Sequence, residues 1–143
     1  MYVADTNVVS ATDPSRPRPV EALAIDPDAL VFVTVITIAE LEAGVCKLER
    51  NGATRKAAAL KRWIEVVESS FAGRILPFDV EAARLAGKLK DRAVGAGHDP
   101  DFADVQIAAI AANRGFTVLT RNARHFAPFG VPHLDPFGSG ARS

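Results

Sequence analysis

The sequence has almost no cysteine and no excess charge of either sign. Cys46 is the single cysteine among 143 residues, which excludes a disulfide within the chain and a zinc site built on several thiolates. Lysine and arginine together number 17, as do aspartate and glutamate, so the formal net charge is zero. This balance argues against a broadly basic nucleic-acid binder, although a bound cation would add positive charge that a residue count misses.

Long apolar runs are missing as well. No segment approaches the roughly 18 apolar residues expected of a membrane-spanning helix. The opening stretch, MYVADTN, contains an acid and lacks the basic residues that begin a signal peptide. Apolar residues still make up 48% of the chain, which is enough for a folded core. We therefore expect one cytoplasmic domain at residues 1–137 and a flexible tail, GSGARS, at residues 138–143.

Hydrophobic patterns predict strands that alternate with helices. The predicted strands are residues 2–4, 30–36, 74–78, 116–120 and 132–134, and the last of these lies at an edge. The first is followed directly by a turn, and residues 13–19 are proline-rich. The predicted helices are residues 20–24, 38–50, 57–71, 80–94 and 102–114. This alternation indicates an α/β fold with a mainly parallel sheet and helices on both faces.

Four polar side chains follow predicted strands or begin the helices after them. Asp5 follows the first strand, Glu40 and Asp104 lie in the first turns of two helices, and Asn122 follows the strand at residues 116–120. In open parallel sheets, ligands bind beyond the carboxyl ends of the strands. We therefore expect these side chains to meet at one rim of the sheet.

Each of these acids also has a purely structural explanation. Asp5 suits an Asx-turn or a helix cap, and Glu40 completes a capping box with Thr37. Asp104 lies where a helix dipole favours an acid, and Asp101 fits the N-cap of the same helix. Capping accounts for each acid singly, but three carboxylates at one rim repel one another unless a cation lies between them.

Such a cation is predicted to be hard. Oxygen ligands without clustered cysteine or histidine favour Mg²⁺, or Mn²⁺ as its substitute, over zinc. An ion of this kind supports metal-assisted hydrolysis of phosphodiester bonds. The residues and their spacing leave this explanation and capping both open.

Four segments in order give the chain a family resemblance. They are VADTNVVS at residues 3–10, TIAELEAG at residues 37–44, FADVQIAAIA at residues 102–111 and LTRNARHF at residues 119–126. Together they resemble the PIN-domain family, in particular the VapC-type toxins, with their FitB-like branch, of toxin–antitoxin pairs. The resemblance implies a three-layer α/β/α fold with a five-stranded sheet. It also implies a homodimer and a Mg²⁺- or Mn²⁺-dependent endoribonuclease that cuts RNA and is inhibited by a cognate antitoxin within a toxin–antitoxin hetero-oligomer.

The resemblance also implies residue roles. It makes Asp5, Glu40 and Asp104 the catalytic metal ligands. Family members often carry a fourth acid where this chain has Asn122, so Asn122 or Asp101 is a further candidate ligand. The residues implied to support the acids are Thr6, Asn7 and Thr120.

The basic residues after the fourth strand, Arg121, Arg124 and His125, are candidates for RNA contact, with a solvated loop as the other explanation. Asn122 and the zero net charge leave a second function open. In that alternative the chain is a catalytically weak or inactive PIN-like module that acts by binding protein or RNA. Cys46 is expected to be buried and unreactive.

Overall fold

The computed structural model of the protein describes residues 1–13 and 28–137. Its strands are β1 (Tyr2–Ala4), β2 (Val31–Thr34), β3 (Ile75–Leu76), β4 (Thr117–Leu119) and β5 (His133–Leu134). Its α-helices are α1 (Thr6–Ala11), α2 (Val35–Arg50), α3 (Thr54–Ser70), α4 (Val80–Gly95), α5 (Phe102–Asn113) and α6 (Ala123–Phe126), and a 3₁₀ turn follows at Ala127–Phe129. The predicted helix at residues 20–24, most of the proline-rich stretch and the tail at residues 138–143 lie outside the described residues.

The strands form one sheet in the order β3-β2-β1-β4-β5, and every pairing is parallel. This confirms the predicted five-stranded parallel sheet, with β5 at an edge. The first strand in the sequence is the central one, because Tyr2 lies opposite both Val31 and Thr117. The chain thus leaves β1 at the point where the strand order changes direction, which is where parallel sheets bind ligands.

Alternation along the strands divides the core into two faces. Val3 and Val118 are fully buried and pack in the cluster that contains α4 and α5. Ala4 and Leu119 lie one residue further along the same strands and pack in a second cluster, against Val8, Val9 and Val67 of α1 and α3. Because successive side chains of a strand point to opposite faces, the two clusters lie on either side of the sheet. The fold is therefore the expected three-layer α/β/α arrangement.

Helix α5 is the most deeply buried helix. Its apolar side chains from Val105 to Ala111 are at most 1% exposed, and Ala112 is partly buried. Full burial of a valine or isoleucine side chain stabilises the fold by roughly 1.5–3 kcal/mol. Gly115 follows the helix with a φ of 71°, a left-handed conformation that is common just after a helix end. The nearly continuous apolar character of this helix therefore suits its buried position.

Two predicted boundaries are wrong, and both bear on the site. A helix, α1, follows the first strand where a turn was predicted, and Asp5 is its N-cap. The second strand ends at Thr34 rather than at residue 36, because the Thr34 hydroxyl accepts from the Thr37 backbone N–H and begins α2. Thr37 therefore lies inside the helix.

The α2–α3 hairpin carries a small core of its own, which includes Leu41, Val45 and Ile64. Cys46 lies on the outer side of α2 and is exposed, so the prediction that it is buried is wrong. It directly follows the buried Val45, and adjacent residues on a helix do not share a face.

No helix of the described residues is long and apolar enough to cross a membrane. The domain limits of 1–137 and the cytoplasmic location stay predictions.

Candidate active site

Asp5 lies at the carboxyl end of the central strand and is only 5% exposed. Its Oδ1 accepts from the Thr6 backbone N–H at 2.8 Å, as an N-cap does. Its Oδ2 accepts from the Thr120 hydroxyl at 2.9 Å. Asp5 is therefore a helix cap, as one explanation predicted, but capping involves only Oδ1. Its Oδ2 is held by Thr120, a fully buried residue that follows β4.

Glu40 lies in the second turn of α2, not in its first. The predicted capping box with Thr37 is wrong because Thr34 is the N-cap of this helix. The Thr6 hydroxyl instead donates to Glu40 Oε1, and its oxygen lies 2.9 Å from the Thr37 hydroxyl oxygen. Thr6 thus links the start of α1 to α2 and orients the Glu40 carboxylate beside Asp5.

Asp104 lies in the first turn of α5, as predicted, and Asp101 is the N-cap of that helix, accepting from the Ala103 backbone N–H at 3.3 Å. Asp104 Oδ2 lies 3.2 Å from His125 Nδ1. The Asp104 side chain is 14% exposed and that of His125 is 53% exposed. The helix dipole explains an acid at this position, but it does not explain the histidine placed against it from α6.

Burial, with the charges of neighbouring carboxylates, raises the pKa values of the acids. Burial raises the pKa of Asp5 and the pKa of Glu40, and the nearby charges of other carboxylates add to both effects. Burial, followed by the charges of Asp5 and Asp101, raises the pKa of Asp104 to about 6, while His125 acts in the opposite direction. These carboxylates are therefore buried enough, and close enough to one another, for their ionised forms to be destabilised.

All the predicted acids border one open cavity of about 720 Å³. The predicted residues that line it are Asp5, Thr6, Asn7, Glu40, Asp101, Asp104, Arg121, Asn122 and His125. Ser10 and Ala11 also line it, and sequence reasoning missed both. Ser10 lies four residues after Thr6, so recognising α1 as a helix would have placed the two on one face.

The supporting and basic residues have distinct positions. Thr120 is buried and does not line the cavity, and its hydroxyl also accepts from the Asn122 backbone N–H at 2.9 Å. Asn7 Oδ1 accepts from the Arg121 backbone N–H at 3.3 Å. The Arg121 guanidinium lies 5.2 Å from the centre of the Phe137 ring. Arg124 does not line this cavity but a neighbouring one.

The oxygen donors of this cavity suit an open site for a hard divalent ion better than a closed site in which the protein supplies every metal ligand. Among residues 1–13 and 28–137, no three histidine, cysteine or acidic side chains form a ready-made ligand set. Mg²⁺ usually binds through one or two carboxylates and keeps several waters, taking further contacts from phosphate. Oxygen donors whose mutual repulsion a cation would relieve fit that mode of binding, whereas zinc sites are built mainly from cysteine and histidine ligands.

The fold and this arrangement agree with a comparison against known families. The family described as PIN domain matches residues 2–129.

The chain belongs to the PIN domain family.

Two curated relatives align along nearly the whole PIN domain. Toxin FitB of Neisseria gonorrhoeae is 36% identical over 141 residues, which cover 96% of this chain and 99% of FitB. The VapC ribonuclease Y4jK of Sinorhizobium fredii is 32% identical over 139 residues, which cover 96% of this chain and 98% of the relative.

Solved PIN structures resemble the chain as well. A chain of the crystal structure of FitAcB from Neisseria gonorrhoeae superposes with a TM-score of 0.76 at 32% identity, covering 96% of this chain and 99% of the other. A member of the VapBC family of toxin–antitoxin systems, VapBC-5 from Mycobacterium tuberculosis, superposes with a TM-score of 0.61 at 32% identity, covering 87% and 86%.

Proposed function

We propose that the protein is an endoribonuclease toxin of a toxin–antitoxin pair, which hydrolyses RNA with the aid of Mg²⁺ or Mn²⁺ at the cavity that contains Asp5, Glu40 and Asp104. One observation carries the proposal. Three carboxylates from three separate segments meet at the carboxyl end of the central strand, in a cavity where each has a raised pKa. The names of the relatives, a toxin and a ribonuclease, support the same class.

A divalent ion bound here would neutralise phosphate charge and acidify a water molecule. The protein's own part is to hold the acids in fixed positions. Asp5 is fixed by the Thr6 backbone N–H and the Thr120 hydroxyl, and Glu40 is fixed by the Thr6 hydroxyl. Locked carboxylates of this kind bind an ion without further rearrangement of the protein.

The rim of the cavity carries basic side chains. Arg121 and His125 line it on the side of α6, where they can contact the phosphates that flank the scissile bond. His125 Nδ1 also lies 3.2 Å from Asp104 Oδ2 and acts to lower the pKa of that carboxyl.

A toxin of this kind must be held inactive by a partner. We propose a cognate antitoxin that places a lysine or arginine side chain among the acids, since a cation would relieve their repulsion in the same way as a metal ion. The similar VapBC-5 structure belongs to a family of toxin–antitoxin systems, which supports this partner. A homodimer, assembled with antitoxin into a hetero-oligomer, is the form to look for by light scattering.

The decisive experiment is cleavage of total RNA by purified, antitoxin-free protein. We expect discrete products with Mg²⁺ or Mn²⁺, and none with EDTA or with Asp5→Asn. Asparagine caps helices as well as aspartate does, so this variant keeps α1 intact. Asp79→Asn is the matched control, because Asp79 also caps a helix, α4, but does not line the cavity.

One feature of the cavity favours the alternative function, a PIN-like module that acts by binding protein or RNA. Asn122 lines the cavity where the family resemblance implies a fourth acid, and its amide adds no negative charge to attract a metal ion. Full activity of Asp5→Asn would show that the site assignment is wrong. Absence of any cleavage, together with absence of metal binding by calorimetry, would instead favour the module that acts by binding protein or RNA.

A further inference from the structure

A second cavity of about 250 Å³ opens beside the candidate active site. Residues of the loop between α4 and α5, among them His98 and Asp99, form one side of it. Arg124 of α6 and Pro128 form another. Its volume lies below the roughly 300–1,000 Å³ of pockets for drug-sized ligands, so it suits a single small ring system.

The two cavities share a wall. Asp101, Asp104 and His125 line both of them. A polymer that occupies the first cavity therefore reaches the second without leaving the protein surface. On the proposed function, on which this inference rests, a phosphate at the acids would place a neighbouring nucleotide at the second cavity.

The lining of the second cavity suits a nucleobase rather than a phosphate. Three carboxylates border it, those of Asp99, Asp101 and Asp104, and they repel an anion. His98 and His125 offer imidazole rings and Arg124 a planar guanidinium, groups on which unpaired bases of RNA stack. A neutral, flat ligand with N–H donors matches this combination of stacking surfaces and acceptors.

Guanine matches it best. Its N1–H and its exocyclic amino group lie side by side on one edge, so that a single carboxylate can accept from both. Asp101 Oδ1 already accepts from a backbone N–H, and Asp104 faces His125. Asp99 is an exposed residue within the α4–α5 loop and is the carboxylate with which a base edge can pair.

We propose that the second cavity is a base-recognition subsite, in which Asp99 pairs with the edge of a guanine next to the cleaved bond and His98 stacks against its ring. Asp99 is a specificity-determining residue in this arrangement and takes no part in hydrolysis. The protein would then cut preferentially beside guanine.

Nuclear magnetic resonance tests the subsite without relying on catalysis. The chain has three histidines, of which His98 and His125 line the second cavity and His133 lies on the edge strand β5. Titration with guanosine should shift the imidazole signals of His98 and His125 but not that of His133, and uridine should have a much weaker effect. Equal responses to the two nucleosides, or no response of His98, would overturn the inference.

Cleavage of a randomised RNA library supplies the second readout. We expect a preference for guanine at one position beside the cut of roughly 5- to 150-fold, the range for one good bidentate pair. Asp99→Asn should abolish that preference and the guanosine shifts. Asp91→Asn, an exposed acid of α4 that does not line the cavity, should retain both.

These results separate the subsite from the proposed function. Cleavage without a base preference, or with a preference that Asp99→Asn leaves unchanged, refutes the subsite and leaves the nuclease standing. A selective His98 response in a protein that cuts no RNA supports the base site and refutes the nuclease.

Discussion

Replacement of Asp104 by asparagine should abolish cleavage and at the same time stabilise the metal-free protein. Aspartates at helix N-termini are usually stabilising, so their removal would ordinarily weaken a fold. Asp104 differs because burial and the charges of Asp5 and Asp101 disfavour its ionised form. The uncharged amide of asparagine resembles the neutral form that the surroundings favour.

The magnitude follows from the pKa. The pKa of Asp104 rises from 3.8 to about 6, and a difference of about two pKa units corresponds to about 3 kcal/mol. The cavity is open to water, and solvent screens part of this repulsion, so we expect a gain in unfolding free energy of about 1–2 kcal/mol at about pH 7.5. For a domain of this size the melting temperature should rise by about 3–8 °C.

The sign of the pH dependence provides an independent check. When folding raises the pKa of a carboxyl group, the group contributes its full stabilisation at a pH below its pKa in the unfolded chain. This stabilisation is lost as the pH rises through its pKa in the folded protein. Stability of the metal-free wild type should therefore fall between about pH 4 and pH 7 through Asp104, whose pKa is about 6. The Asp104→Asn variant should show a flatter profile.

The assay is thermal and urea unfolding in EDTA, with Asp91→Asn on the exposed face of α4 as the control. Added Mg²⁺ should raise the melting temperature of the wild type and leave that of Asp104→Asn almost unchanged. A variant less stable than the wild type at about pH 7.5 would refute the reasoning, because Asp104 would then act as an ordinary helix-terminal acid.

Further predictions concern the residues around the acids. Thr6→Val should reduce cleavage at least about tenfold, because the Glu40 carboxylate loses its donor, and Thr6→Ser should restore it in the same kinetic assay. Thr120→Val removes the hydrogen bond to Asp5 Oδ2; urea unfolding should show a loss of about 1–3 kcal/mol, and titration should show a further rise in the Asp5 pKa. Gly130→Ala should lower the unfolding free energy by about 1–2 kcal/mol, since Gly130 has a φ of 68° and a Cβ there would lie 2.9 Å from a guanidinium nitrogen; an unchanged melting temperature would contradict this.

The positions of the acids were predictable because they depend on local apolar patterns that can be read in the sequence. Asp5 follows an apolar strand, and Asp104 begins a helix whose side chains are apolar nearly all round. Parallel strands bring such positions to one edge regardless of detail. The supporting threonines Thr6 and Thr120 were named only through the family resemblance, because a hydrogen bond between distant segments leaves no local pattern.

The wrong boundaries have a physical reason. Thr34, Val35 and Ile36 are all β-branched, and such residues favour strands. The sequence pattern therefore continues the strand, whereas the Thr34 hydroxyl begins a helix by accepting from Thr37. Helix α1 has only six residues, too few for a helical repeat to be visible. The contact between His125 and Asp104 joins α6 to α5, and nothing in either segment alone predicts it.

The position of β1 in the sheet also bears on how the protein is made. Asp5 and the threonine that fixes its carboxylate are 115 residues apart in the chain, and the acid of α5 emerges between them. At synthesis rates of about 5–20 residues per second, the ribosome needs roughly 6–23 s to travel from the first of these residues to the last. For all of that time the Asp5 carboxylate lacks its Thr120 donor, so the site cannot form in a nascent chain before residue 120 has been made.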